Sequence, residues 1–207
     1  LKNVRYAPLV DELQLVAGRM SIKKASAFQE AMTLFDKGGG EWGEDVGPVH
    51  TWGPRDILVV DTLGKMSRSA LYLVMQINGA MNKNPEIQHY GIAMDNIEKL
   101  IGQITSNRVP CHVIINTHLT TNEGSPKLYP LSLGSKLNPK VATEFDNFFS
   151  ISMTGANRTI KTSKDGLLAL KCAKPLSAEY TITDGYVKIF QELTGVKDLT
   201  QLWQEPV

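Results

Sequence analysis

Apolar residues follow two rhythms along this chain. One is a three-to-four spacing that suits helices; the other is a short unbroken run that suits buried strands. Ala25, Phe28, Met32 and Phe35 recur at a helical period, so a helix is predicted over 21–36 with Ser21 as its cap. The glycine-rich stretch from Lys37 to Pro54 then reads as a loop. Ile57-Leu58-Val59-Val60 is an unbroken apolar run ending in Asp61-Thr62, the pattern of a strand buried on both faces of a parallel sheet. Helices are predicted over 65–81 and 92–107, the second carrying Ile97, Leu100, Ile101 and Ile104 on one stripe. A second buried strand follows over 112–118. Strand, helical crossover and strand make a right-handed βαβ arrangement.

The rest of the chain is more punctuated. Leu119 to Lys136 holds Gly124, Pro126, Pro130 and Gly134 and reads as a long loop. A short helix over 139–145 and a third strand near 148–153 come next. Thr159–Thr162 and Leu168–Ala173 are predicted to pair as a hairpin, because Asp165-Gly166 between them is a strong turn signal. A helix over 184–193 closes the pattern. The expected fold class is α/β: a mainly parallel sheet flanked by helices, with a C-terminal β-hairpin, as one domain over 1–207.

Composition changes this picture little. A net charge of +1 over 207 residues means that any nucleic-acid footprint must be local. Cys111 and Cys172 stand far apart, outside any metal-ligand spacing, so neither a zinc site nor a disulfide framework is implied and a reducing cytoplasm is the simple reading. No apolar run approaches the roughly 18–20 residues of a membrane span. The chain opens mid-pattern at Leu1, which leads to the expectation that sequence precedes it.

Asp61 is the sharpest chemical feature. A residue just past a parallel strand is delivered to the carboxyl edge of the sheet, where such folds bind ligands. A carboxylate there can hold a Mg²⁺-bound water, and the Thr62 hydroxyl can join the same shell. The second strand ends in Asn116, Thr117 and His118, polar groups able to sense a γ-phosphate or orient water. A phosphate-wrapping G-x-x-x-x-G-K-[ST] is not found: Gly64-Lys65 is followed by Met66, and neither Gly38-Gly39-Gly40 nor Gly134-Ser135-Lys136 fits. Arg158, Lys161, Lys164, Lys171 and Lys174 are opposed only by Asp165 over 158–174. Such a cluster on a hairpin either grips a phosphate backbone or protects a sheet edge.

Taken in order, DILVVDTLGKMSR, CHVIINTHL, LYPLSLGSKLNPKVATEFDNFFSI and RTIKTSKDGLLALKCAKP resemble the phage-encoded RecA-like (AAA-type) nucleotide-binding proteins of single-strand annealing and recombination. The resemblance spans about residues 55–175. It implies a RecA-like P-loop NTPase core that binds ATP and Mg²⁺ and assembles as a ring or filament on single-stranded DNA. A single-strand-binding protein would be a further partner, in the cytoplasm of a bacterial host. Asp61 would stand in the Mg²⁺ shell and Thr117 and His118 at the sensor position. The loop over 120–136, with Lys127 and Lys136, would face DNA, and the basic hairpin would lie at the subunit interface, with Lys171 or Lys174 as a finger in trans. The family's P-loop strand is expected upstream of Leu1. The alternative is a non-hydrolysing DNA-binding or scaffold protein that retains the fold.

Overall fold

The computed structural model describes residues 4–39, 46–163 and 166–198. The chain folds as two compact units, Leu1–His118 with Leu131–Val141, and Leu119–Pro130 with Ala142–Val207.

The first unit begins where the periodicity misleads. Glu12–Val16 (β1) and Arg19–Lys24 (β2) form an antiparallel hairpin, so the expected helix start at Ser21 falls inside a strand. The turn is Ala17-Gly18, both at positive φ, the conformation of a primed hairpin turn that alanine does not advertise. The helix forms later, as Ala27–Lys37 (α1). Its cap comes from far away in sequence: Asp11 Oδ1 accepts hydrogen bonds from the backbone N–H of Ser26 and Ala27, 3.0 Å each, and from Ser69 Oγ at 3.0 Å. The predicted face survives, with Phe28 and Phe35 buried. Gly38 ends α1 at φ +69, and its α-carbon lies so close to Gly47 that an added Cβ would stand 2.5 Å from that residue's carbonyl carbon.

Ile57–Asp61 (β3), Leu63–Ile77 (α2), Ile87–Ile104 (α3) and His112–Asn116 (β4) form the βαβ arrangement, its crossover split into two packed helices. β3 and β4 pair in parallel with Ile57 opposite His112 and Asp61 opposite Asn116. Gly134–Val141 (α4) completes this unit, starting earlier than expected and holding Pro139 within it. The core gathers Leu58, Val60, Leu63, Leu71, Val74, Ile97 and Ile101. One expectation fails here: β3 is buried on one face only. Leu58 and Val60 are buried, whereas Ile57, Val59 and Ile114 form an exposed face, Val59 at 54%. Consecutive apolar residues mark two apolar faces but cannot say whether a second layer covers both.

The second unit is antiparallel. Leu119–Thr121 (β5) pairs with Leu128–Pro130 (β6), so the segment read as a long loop is a hairpin. Ser150–Thr154 (β7), Asn157–Lys161 (β8) and Glu179–Thr181 (β9) form a sheet in that order, and Gly185–Thr194 (α5) follows. The hairpin between Thr159–Thr162 and Leu168–Ala173 does not form. β8 pairs with β7 through Gly155-Ala156, and Lys171 makes a lone antiparallel bridge to Phe148. Among the described residues the mainly parallel sheet is therefore reduced to the β3–β4 pair, and the other sheets are antiparallel.

Ile160, Tyr180 and Ile189 make the small core of the second unit. The Tyr180 hydroxyl donates to Glu192 Oε2 at 2.8 Å and accepts from Ser177 N–H at 2.9 Å. Burial, reinforced by that carboxylate, pushes the phenol above its ordinary value. The folded state therefore holds this proton more tightly than the unfolded chain, and the stability it lends is complete below the unfolded value and lost as pH rises through the folded one. Unfolding midpoints measured across alkaline pH are expected to fall beyond about pH 10. In Tyr180→Phe that part of the fall should vanish; an identical alkaline slope in both chains would remove Tyr180 from the cause.

Candidate functional site

The carboxyl edge of the parallel pair gathers the predicted polar residues. Because Asp61 and Asn116 are opposite one another in register, their side chains project from the same face of the sheet, the open face that also carries Val59 and Ile114. Both are exposed. The Asp61 carboxylate makes no hydrogen bond or ion pair among the described residues, so it is available to a ligand. The peptide joining it to Thr62 is cis.

Thr62 has another duty. Its hydroxyl accepts the backbone N–H of Lys65 at 3.4 Å as the cap of α2. A capping threonine already has one lone pair engaged, which weakens its case as a metal-shell group relative to Asp61. Thr117 is also committed: its hydroxyl donates to the carbonyl of Leu131 at 2.7 Å, while the N–H of Leu131 donates to the carbonyl of His118 at 2.7 Å. The Leu131 side chain in turn crowds Gly64, where an added Cβ would stand 3.3 Å from Cδ2. Leu131 thus fastens the exit of β4 to the β3–α2 turn. Lys65 and Arg68 project from the exposed side of the first turns of α2.

Sequence reasoning favoured Thr117 and His118 over Asn116. The structure puts Asn116 opposite Asp61, with His118 two residues past the end of β4. The signal is in the sequence: aligning ILVVD with HVIIN, the two segments of a parallel ladder, sets Asn116 opposite Asp61.

The basic residues do not converge. Lys127 is exposed just before β6, and Lys136 is exposed on α4. Arg158 is exposed on β8, whereas Lys161 faces Glu179 at 4.0 Å across the β8–β9 pair. Lys171 Nζ donates to the carbonyls of Phe145 at 2.6 Å and Thr143 at 3.4 Å, and Lys174 Nζ donates to the carbonyl of Leu193. Each supports the chain's own backbone from outside any strand. Lys164 lies outside the described residues.

Among the described residues no cluster of three or more His, Cys, Asp or Glu could cage a metal ion. That is compatible with Mg²⁺, which retains several waters and takes one or two carboxylates, with phosphate oxygens supplying the rest. The lone exposed carboxylate of Asp61 fits such a role. A cavity of about 190 Å³ lies between α3 and α4, lined by Met94, Glu98, Lys136 and Lys140.

A family model described as AAA domain matches residues 15–169, about three quarters of the chain. No curated protein and no solved structure matches it.

Proposed function

The chain belongs to the AAA domain family of P-loop ATPases, and we propose that it works as an ATP-dependent DNA-binding protein of phage recombination, with Mg-ATP held at the sheet edge that carries Asp61. The family generally binds ATP with Mg²⁺. The observation that carries the reading is the register of the parallel pair, which sets an unpaired carboxylate and an amide side by side at the end of two apolar strands. In this reading Asp61 accepts a hydrogen bond from a water of the Mg²⁺ shell, and the Asn116 amide donates to a phosphate oxygen or to the attacking water. Bound Mg²⁺ supplies the neutralisation of phosphate charge. A RecA-like core and assembly as a ring or filament belong to the same proposal.

The DNA part rests on exposed cations rather than on a built groove. Lys127 and Arg158 are the best placed of the predicted set, because Lys171 and Lys174 hold backbone carbonyls. Mg-ATP binding followed by calorimetry, and single-stranded DNA binding followed across a salt series, test the two halves separately. DNA affinity is expected to fall linearly with log salt, and Lys127→Glu or Arg158→Glu should each flatten that slope by about 0.7, one phosphate contact on a single strand. Binding of Mg-ATP without any salt-dependent retention of DNA would keep the nucleotide site and reject the recombination role. No Mg-ATP binding would favour the non-hydrolysing alternative.

A further inference from the structure

The second unit ends in an unusual sheet edge. Thr162, one residue past β8, donates its N–H to the carbonyl of Ala178, and the carbonyl of Arg158 within β8 accepts from Ile182, so the even-numbered residues of that strand bond toward β9. The odd-numbered ones therefore bond toward β7, and the register assigns those bonds to Ser150, Ser152 and Thr154. It follows that the backbone N–H and C=O groups of Ile151 and Met153 point away from the sheet. No hydrogen bond to them occurs among the described residues. Their side chains are 55% and 67% exposed, on the face that continues from Ile160 and Tyr180.

Sheet edges are normally blunted by a lysine, a proline, a bulge or a covering element. Ser150-Ile151-Ser152-Met153-Thr154 has no charge, no proline and no break in its pairing. It also reads the same in both directions: polar, apolar, polar, apolar, polar. We propose that β7 is a self-complementary docking edge, joining two copies of this chain antiparallel about a two-fold axis through Ser152.

Outward-pointing groups occur at the odd positions, so with the axis at the centre of β7 Ile151 of one copy meets Met153 of the other in hydrogen-bonded pairs. Two such pairs give four backbone hydrogen bonds, with Ser152 facing its own counterpart in a non-hydrogen-bonded pair. Ile151 and Met153 then cover each other on the apolar face. Two three-stranded sheets become one of six strands. A charged edge peptide of another protein fits less well, because the strand offers no countercharge. The contact is isologous and closes at two copies. It is also small beside a standard interface, so the dimer exchanges with monomer at accessible concentrations.

Sedimentation of residues 1–207 without nucleotide or DNA, so that no ring or filament is loaded, should show the average mass rising with concentration from 22.8 kDa toward twice that value. Ile151→Glu and Met153→Lys should each weaken dimerisation about tenfold, since each sets a charge against an apolar partner. The double variant I151E/M153K should restore it, because each new glutamate meets a new lysine across the axis. Both sites are mostly solvent-exposed, so circular dichroism should be unchanged in all three. Ser152→Cys should cross-link to a covalent dimer on mild oxidation more readily than the unsubstituted chain, its α-carbons being about 4.5 Å apart in a non-hydrogen-bonded pair. A chain that stays monomeric at every concentration, leaving the edge to a strand of another protein, overturns the proposal. So does a dimer indifferent to both single substitutions, or a double variant no better than either.

Discussion

Asp61→Ala should reduce Mg-dependent ATP turnover by at least about a hundredfold, the scale on which preorganised charge-stabilising groups act, while leaving the fold intact. The Asp61 side chain is exposed and makes no hydrogen bond or ion pair with the rest of the described chain. Surface substitutions of that kind change stability by only about 0.5 kcal/mol. The lost group bears a charge in the reading that turnover depends on, so stability and activity should separate cleanly. Asn116→Ala should follow it with a smaller loss, because an amide orients without neutralising.

Thr62→Ala sharpens the comparison. As the cap of α2, Thr62 should contribute about 1 kcal/mol to stability. Loss of stability with turnover retained would identify a capping residue; loss of turnover at unchanged stability would restore Thr62 to the metal shell. The decisive measurement is steady-state phosphate release against Mg²⁺ concentration, paired with urea unfolding of each variant. Unchanged release by Asp61→Ala would remove this sheet edge from the chemistry.

The legible part of this site was the part governed by local pattern. Two apolar runs, each ending in polar residues and separated by helical periodicity, are enough to anticipate a parallel pair with a polar carboxyl edge, and β3 and β4 are that pair. Two other kinds of feature were not legible. One depends on distant partners: Asp11 capping α1 from 15 residues away, or Leu131 fastening Thr117 and His118. No propensity at either end encodes such a bond. The other is a competition between turns. Asp165-Gly166 is the stronger turn signal, yet Gly155-Ala156 makes the hairpin, because that register puts Ile160 opposite Tyr180 in one small core with Ile189. Packing of the strand faces outweighed the preference of a dipeptide. The same outcome moved Lys171 and Lys174 off the expected basic hairpin and onto backbone carbonyls.

That small core is also where one methyl group should do most damage. Gly185 opens α5 against β9, and a Cβ added there would stand 2.8 Å from Tyr180 Cβ and 3.0 Å from Ile160 Cδ1. The closer contact is not with the free end of a side chain, and the terminal methyl of Ile160 has little room to give. Tyr180 Cβ is set by the backbone of its strand, and Ile160 is 1% exposed within the core. Relief requires α5 to move off the sheet, which would also strain the bond from Tyr180 to Glu192. Alanine in place of glycine contributes up to about 1 kcal/mol in helix propensity, but overpacking against a strand backbone reaches about 3 kcal/mol. Gly185→Ala should therefore destabilise the second unit by up to roughly 2 kcal/mol, the difference of those two effects. Gly91 supplies the control, since it lies within α3 and nothing would meet its Cβ within 4 Å. Gly91→Ala should raise the unfolding midpoint in urea where Gly185→Ala lowers it. If both substitutions raise it, α5 does not sit on Tyr180 as closely as the packing of the second unit requires.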